Sequence, residues 1–227
     1  MKAMEKMSVR SLFSLEHTIA AELFDGIEYP WEALARIKEF ILKLGDTLGD
    51  GFERRGADVW VAKSAKVAPT AYIGGPCIVD ENAEIRHCAY IRGSAIIGKN
   101  AVVGNSTEVK NAVIFDGAQA PHFNYVGDSV LGYHSHMGAG AVTSNIKSDK
   151  TNVTIRFGAA RVETGLRKFG AMLGDHVEVG CNSVLCPGSV VGKGATVYPL
   201  SRVRGFVDAE SIFKAPDDIV PKKTREA

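Results

Sequence analysis

From Val61 onward every sixth residue is aliphatic: Val61, Val67, Ile73, Val79, Ile85, Ile91, Ile97, Val103 and Val109. A period of six is neither the 3.6 of a helix nor the 2 of a strand, and its persistence demands a stacked architecture built from one repeated unit. Four positions after each aliphatic residue the side chain is usually small: Ala65, Ala71, Cys77, Ala83, Ala89, Ala95 and Ala101, then Thr107 and Val113. Each unit therefore reads as a short strand and a turn. Three units close a triangular coil, with the aliphatic residue inside a flat side and the small one near a corner. Stacked coils place parallel strands about 4.8 Å apart.

The register slips by one after Val109 and resumes at Ile114, Ala120 and Val126, then slips again to Leu131 and Met137. It is lost between about Asn145 and Met172. It returns as Leu173, Val179, Leu185, Val191, Val197 and Val203. One solenoid with an excursion between its halves is predicted.

The residues before the repeat differ in kind. Leu12, Leu15, Ile19 and Leu23, then Leu34, Ile37, Ile41, Leu44 and Leu48, follow helical spacing, and Pro30 suits the start of the second run. Two amphipathic helices covering the exposed end of the solenoid are expected, as repeat proteins need capped ends. The expected organisation is a helical cap over 1–57, a β-helix over 58–207 with its excursion at 146–172, and a tail over 208–227.

With 27 Lys and Arg against 26 Asp and Glu, the net charge is +1, which gives no global field for nucleic acid or a membrane surface. Cys77, Cys88, Cys181 and Cys186 form no Cys-x-x-Cys pair, and no cleavable leader or membrane-length apolar run is read. A soluble cytoplasmic protein with free thiols is expected.

The repeat allows side chains to be stacked by arithmetic. Arg92 and Lys110 are eighteen residues apart and fall in one column of adjacent coils. Either a phosphate bridges them, or Glu108 neutralises the pair on a solvated face. His87, Asn105 and His122 fall in another column. His87 and His122 are then about 10 Å apart, twice the strand spacing, too far to share a zinc ion within one chain. His134 and His136 are two apart, where side chains alternate. His122 is either a proton-transfer group, the imidazole being suited to that task near neutral pH, or a histidine that simply packs, with Asn124, Tyr125 and Asn145 as polar neighbours. The excursion carries Lys147, Lys150, Arg156, Arg161, Arg167 and Lys168 against Asp149 and Glu163. It either clamps an anion or is only solvated.

The blocks "EVK", "PHFNYVGD" and "GAGAVTSN" resemble the acetyltransferase half of the bacterial bifunctional enzyme that acetylates glucosamine-1-phosphate and uridylylates the product. The similarity is dense from about Ile85 to Asn145. It implies a left-handed parallel β-helix, a homotrimer with sites between subunits, and direct transfer from acetyl-CoA with no metal. His122 matches that family's catalytic base and Asn145 the asparagine assisting it. Arg92, Lys110 and Tyr125 match residues that bind the sugar phosphate, with Glu108 beside them. Ala139, Arg167 and Lys168 are the candidates for acetyl-CoA.

The chain departs from the family where Arg92 lacks a following proline and where a substrate-contacting asparagine is replaced by His136. The basic excursion and "ETGLRKFGAMLGD" are similar instead to archaeal sugar-phosphate nucleotidyltransferases with an acyltransferase half. Some sixty residues before the repeat are too few for a nucleotidyltransferase domain. A pyrophosphorylase label is therefore expected to derive from that other half.

The leading expectation is an acetyl-CoA-dependent N-acetyltransferase acting on an amino-sugar phosphate or nucleotide amino sugar. The alternative is a non-catalytic sugar-phosphate or sugar-nucleotide binding module. A zinc hydratase of the γ-carbonic-anhydrase type is disfavoured because Gly127, not histidine, stands five residues after His122.

Overall fold

The computed structural model describes residues 2–216 and 218–222. The repeat forms a parallel β-helix. Strands such as Cys77–Val79, Glu84–Ile85 and Tyr90–Ile91 follow one another around a coil, and each pairs in parallel with its counterpart one coil later. The inward column Val61, Val79, Ile97, Ile114, Leu131, Leu173, Val191 and Val207 is fully or almost fully buried, and the columns of the other two sides are buried from Ile85 and Ile91 onward, after the partly buried Val67 and Ile73. The smaller alanines lie among them near the corners, as the alternation of size requires.

The three sides differ on the outside. On the first, the residue preceding each inward aliphatic one is itself apolar: Trp60, Ile78, Ile96, Val113, Val130, Met172 and Val190. This stripe is covered. Met7, Leu12, Phe13, Phe24, Trp31, Ile37 and Ile41 of the N-terminal segment pack on it, together with Val153, Ile155 and Phe169 of the excursion. Burying one such side chain stabilises by about 1.5–3 kcal/mol.

The expected end cap is thereby corrected: the N-terminal segment lies along a side of the solenoid, where the apolar stripe is. It is also less helical than predicted. Helices Val9–Leu12 and Ile37–Gly45 are separated by 3-10 turns at Leu15–His17, Ala21–Phe24 and Pro30–Ala35. Pro30 does open its turn, and the Glu32 carboxylate accepts from the Tyr29 N–H at 2.8 Å. The turns let the chain follow a flat ladder, which a long straight helix meets only along one seam.

Antiparallel strands close both ends. Phe52–Arg54 pairs with Val59–Ala62 at the start, and Asp218–Pro221 with Ser211–Ala215 at the finish. The second pair belongs to the segment expected as a tail, where Ile212 and Phe213 continue the solenoid opposite Thr196 and Val197. Residues 217 and 223–227 of that segment lie outside the described residues. The excursion forms a hairpin, Thr154–Phe157 with Ala160–Glu163, whose Phe157 ring lies 5.2 Å from that of Phe206. No helix among the described residues is long and apolar enough to cross a membrane.

Candidate active site

The two register slips mark two unusually tight corners. At Lys110–Asn111 and Gly127–Asp128 the chain passes from the third side to the first within one continuous strand, Glu108–Ile114 and then Tyr125–Leu131. Asn111 and Asp128 take φ values of +48° there, a conformation Asn and Asp tolerate better than most residues. Losing a residue at each corner draws the Asp128 side chain inward until it is only 5% exposed.

A buried carboxylate requires partners, and Asp128 has several. It accepts from Lys110 Nζ at 3.1 Å to both oxygens, from Asn111 Nδ2 at 2.9 Å and from Asn145 Nδ2. Asn145 Nδ2 also donates to Tyr125 Oη at 3.1 Å. The Tyr125 ring reaches Asn145 by lying over Gly127, where a Cβ would stand 2.4 Å from Tyr125 Oη. Burial first, then the Asp128 and Glu108 charges, push the Tyr125 phenol above its ordinary value, so it stays protonated in neutral solution.

Arg92 and Lys110 fall in one column, as the spacing predicts, since Tyr90 and Ile91 stand opposite Glu108 and Val109. Their side chains turn to different carboxylates. Arg92 Nη1 donates to Glu108 at 2.8 Å, while Lys110 is held by Asp128. Glu108 neutralises Arg92 alone. Asp128, which the sequence reading did not single out, takes Lys110. Its signal was the slip itself, because a shortened corner followed by an acid places that acid against the preceding corner.

His122 stands elsewhere. It ends strand Gln119–His122, opposite Asn105, at the corner between the second and third sides. Its imidazole is exposed, and its backbone N–H donates to Asn124 Oδ1 at 3.0 Å. Asn124 is buried, and its amide also donates to the Gly138 and Ala141 carbonyls, which fixes the corner. Ala139 occupies the same corner one coil on, next to Gly140, whose N–H donates to the His122 carbonyl.

Within one chain His122 and Asn145 are not brought together. His122 is three residues before Tyr125 and Asn145 meets Asp128 three residues after it, so the width of the third side separates them, up to roughly 20 Å at strand rise. Arg167 and Lys168 are exposed beside the Asn145 corner, where the Phe169 N–H donates to the Asn145 carbonyl at 2.9 Å. His136 lies on the second side, its Nδ1 2.9 Å from Glu178. His87 Nδ1 is 2.6 Å from Thr70 Oγ1. No group of three or more His, Cys, Asp or Glu suited to holding a metal ion occurs among the described residues.

Residues 73–206, more than half of the chain, match the family model described as the GMPPB C-terminal domain. Among curated proteins, the chain is similar to a bifunctional sugar-1-phosphate nucleotidylyltransferase/acetyltransferase of Sulfurisphaera tokodaii, 39% identical over 49% of this chain and 28% of that one. It is also similar to the bifunctional protein GlmU of Methanococcus maripaludis, 28% identical over 89% of this chain and 50% of that one. The chain thus spans at most half the length of these two relatives. Among solved structures, a mutant of AntD, an N-acyltransferase from Bacillus cereus, in complex with dTDP-4-amino-4,6-dideoxyglucose and coenzyme A, aligns at a TM-score of 0.40. It is 18% identical and covers 74% of this chain and 82% of that one.

Proposed function

The chain belongs to the family of the GMPPB C-terminal domain, and on that premise we propose that it is an acetyl-CoA-dependent N-acetyltransferase acting on an amino-sugar phosphate or nucleotide amino sugar. The observation that carries this reading is the buried Asp128 holding Lys110, Asn145 and, through Asn145, Tyr125 in one fixed polar group on an open side of the β-helix. Fixed donors on a rigid scaffold suit recognition of a hydroxylated ligand. The Sulfurisphaera tokodaii relative, whose name includes an acetyltransferase, supports the same class.

In this reading His122 takes a proton from the sugar amine as the nitrogen attacks the thioester carbonyl. The tetrahedral oxyanion is stabilised by amide donors, the C–S bond breaks, and coenzyme A leaves as its thiol. Tyr125 and Asn145 orient the acceptor, Arg92 with Glu108 borders it, and Ala139, Arg167 and Lys168 flank acetyl-CoA. The separation of His122 from Asn145 supports a homotrimer whose sites combine the His122 corner of one subunit with the Asn145 corner of the next. Phe123 and Leu200 lie along the His122 corner with 60% and 80% of their surface exposed, a suitable apolar contact.

The test is thiol release from acetyl-CoA across a panel of amino-sugar phosphates and nucleotide amino sugars. Release with at least one acceptor, lost in His122→Ala, is the expected result. Ligand binding without any thiol release would favour the non-catalytic module instead.

A further inference from the structure

Arg92 and Lys110 each already face a carboxylate, so the uncompensated positive charge of the third side lies elsewhere. It lies two coils beyond Asn145. Arg202 in strand Arg202–Val203 and Arg204 just after it are exposed on either side of the buried Val203, and both line the same cavity. Neither has an acidic partner among the described residues. They border a cavity of about 380 Å³ at the root of the excursion, which Ser144, Lys147, Ser148 and Thr154 also line.

The carboxylate at this mouth, Asp149, is engaged. It accepts from the Thr151 N–H at 3.0 Å and hydroxyl at 2.9 Å and stands 3.4 Å from Lys147 Nζ. The Thr151 bonds, then Lys147, hold it below the ordinary carboxylate range, so it stays charged and cancels Lys147. Two guanidiniums remain, with hydroxyl donors around them. Guanidinium pairs bind phosphate oxygens through several directed bonds.

We infer that this cavity is a diphosphate subsite, holding the diphosphate of a ligand that extends from the Asn145 corner toward Arg202 and Arg204. Ser144 stands two coils above Arg204, through Cys186, a distance of about 10 Å at the strand spacing. That span exceeds a sugar ring bearing one phosphate and suits a longer ligand, either a nucleoside diphosphate sugar or coenzyme A. The inference deepens the proposed acyl transfer by relocating the anion from Arg92 and Lys110.

Titration calorimetry of the full chain with inorganic pyrophosphate tests it. Arg202→Gln and Arg204→Gln should each weaken binding at least tenfold. Lys99→Gln, an equal change in charge at a distant corner, should stay within twofold. UDP and coenzyme A, added separately as competitors, identify which ligand class carries the diphosphate. Pyrophosphate affinity that is absent, insensitive to both arginine substitutions, or displaced by neither competitor overturns the inference. The readout needs no turnover, so a chain that binds as stated but releases no thiol sinks the acyl-transfer reading and leaves this site standing.

Discussion

His122 and Asn145 stand at opposite edges of the same side of the β-helix, one at the end of strand Gln119–His122, the other bonded to Asp128 across the shortened corner. A reaction that needs both must draw them from different chains. At the Asn145 edge a buried carboxylate ties Lys110, Asn111 and Asn145 together.

That carboxylate makes Lys110 structural as well as polar. Lys110→Met leaves Asp128 buried with only amide donors. It should lower stability by about 2–3 kcal/mol in denaturant unfolding, below the roughly 3–5 of a wholly buried pair because Lys110 keeps a quarter of its surface. Arg92→Met, at an exposed pair, should leave the unfolding midpoint almost unchanged.

Gly127→Ala separates positioning from stability. The three atoms nearest the new Cβ all belong to the outer ring and hydroxyl of Tyr125, which can swing away, so the loss should be about 1 kcal/mol, the value of its bond to Asn145. Acetyl transfer should fall roughly tenfold or more, because the acceptor loses a fixed contact. Tyr125→Phe should lose activity similarly while keeping the wild-type melting temperature within a few degrees.

Asp80, at the corner between the first and second sides, gives a pH signature. Its Oδ2 is buried without a hydrogen-bond partner among the described residues, and burial raises its pKa above the ordinary 3.8 of an aspartate. In the window between 3.8 and the raised value the folded state binds more protons than the unfolded one. Stability therefore falls as pH rises through that window. Asp80→Asn should melt higher than wild type at pH 7, and the gain should shrink as the pH is lowered toward 4.

The thiols should differ in reactivity. Burial pushes Cys77 up to about 12, whereas Cys88 and Cys181 are exposed. Brief alkylation of native protein at pH 8, read by mass spectrometry, should modify Cys88 and Cys181 and spare Cys77.

The six-residue period made the coil legible because one small unit repeats, and the slips pointed to the corners now occupied by Lys110 and Asp128. The period also hid something. It pooled three sides that differ outside, and only at a spacing of about eighteen do Trp60, Ile78, Ile96 and Val113 separate into the stripe that the N-terminal segment covers. The last coil was missed because Val197 and Phe213 are sixteen residues apart, so the count no longer landed on the inward residue. His136 was grouped with the sugar site by resemblance alone, and its contact with Glu178 is on another side.

The most direct test of a site shared between chains is complementation. His122→Ala and Asn145→Ala are unfolded together, refolded at equal amounts, and assayed for thiol release with the acceptor that wild type uses. A site that takes its histidine from one subunit and its asparagine from the next, as proposed, leaves about a quarter of the sites in a random mixture intact. Recovery to about a quarter of wild-type activity, from two proteins that are each inactive, is the predicted result. A mixture no more active than its components would contradict the account.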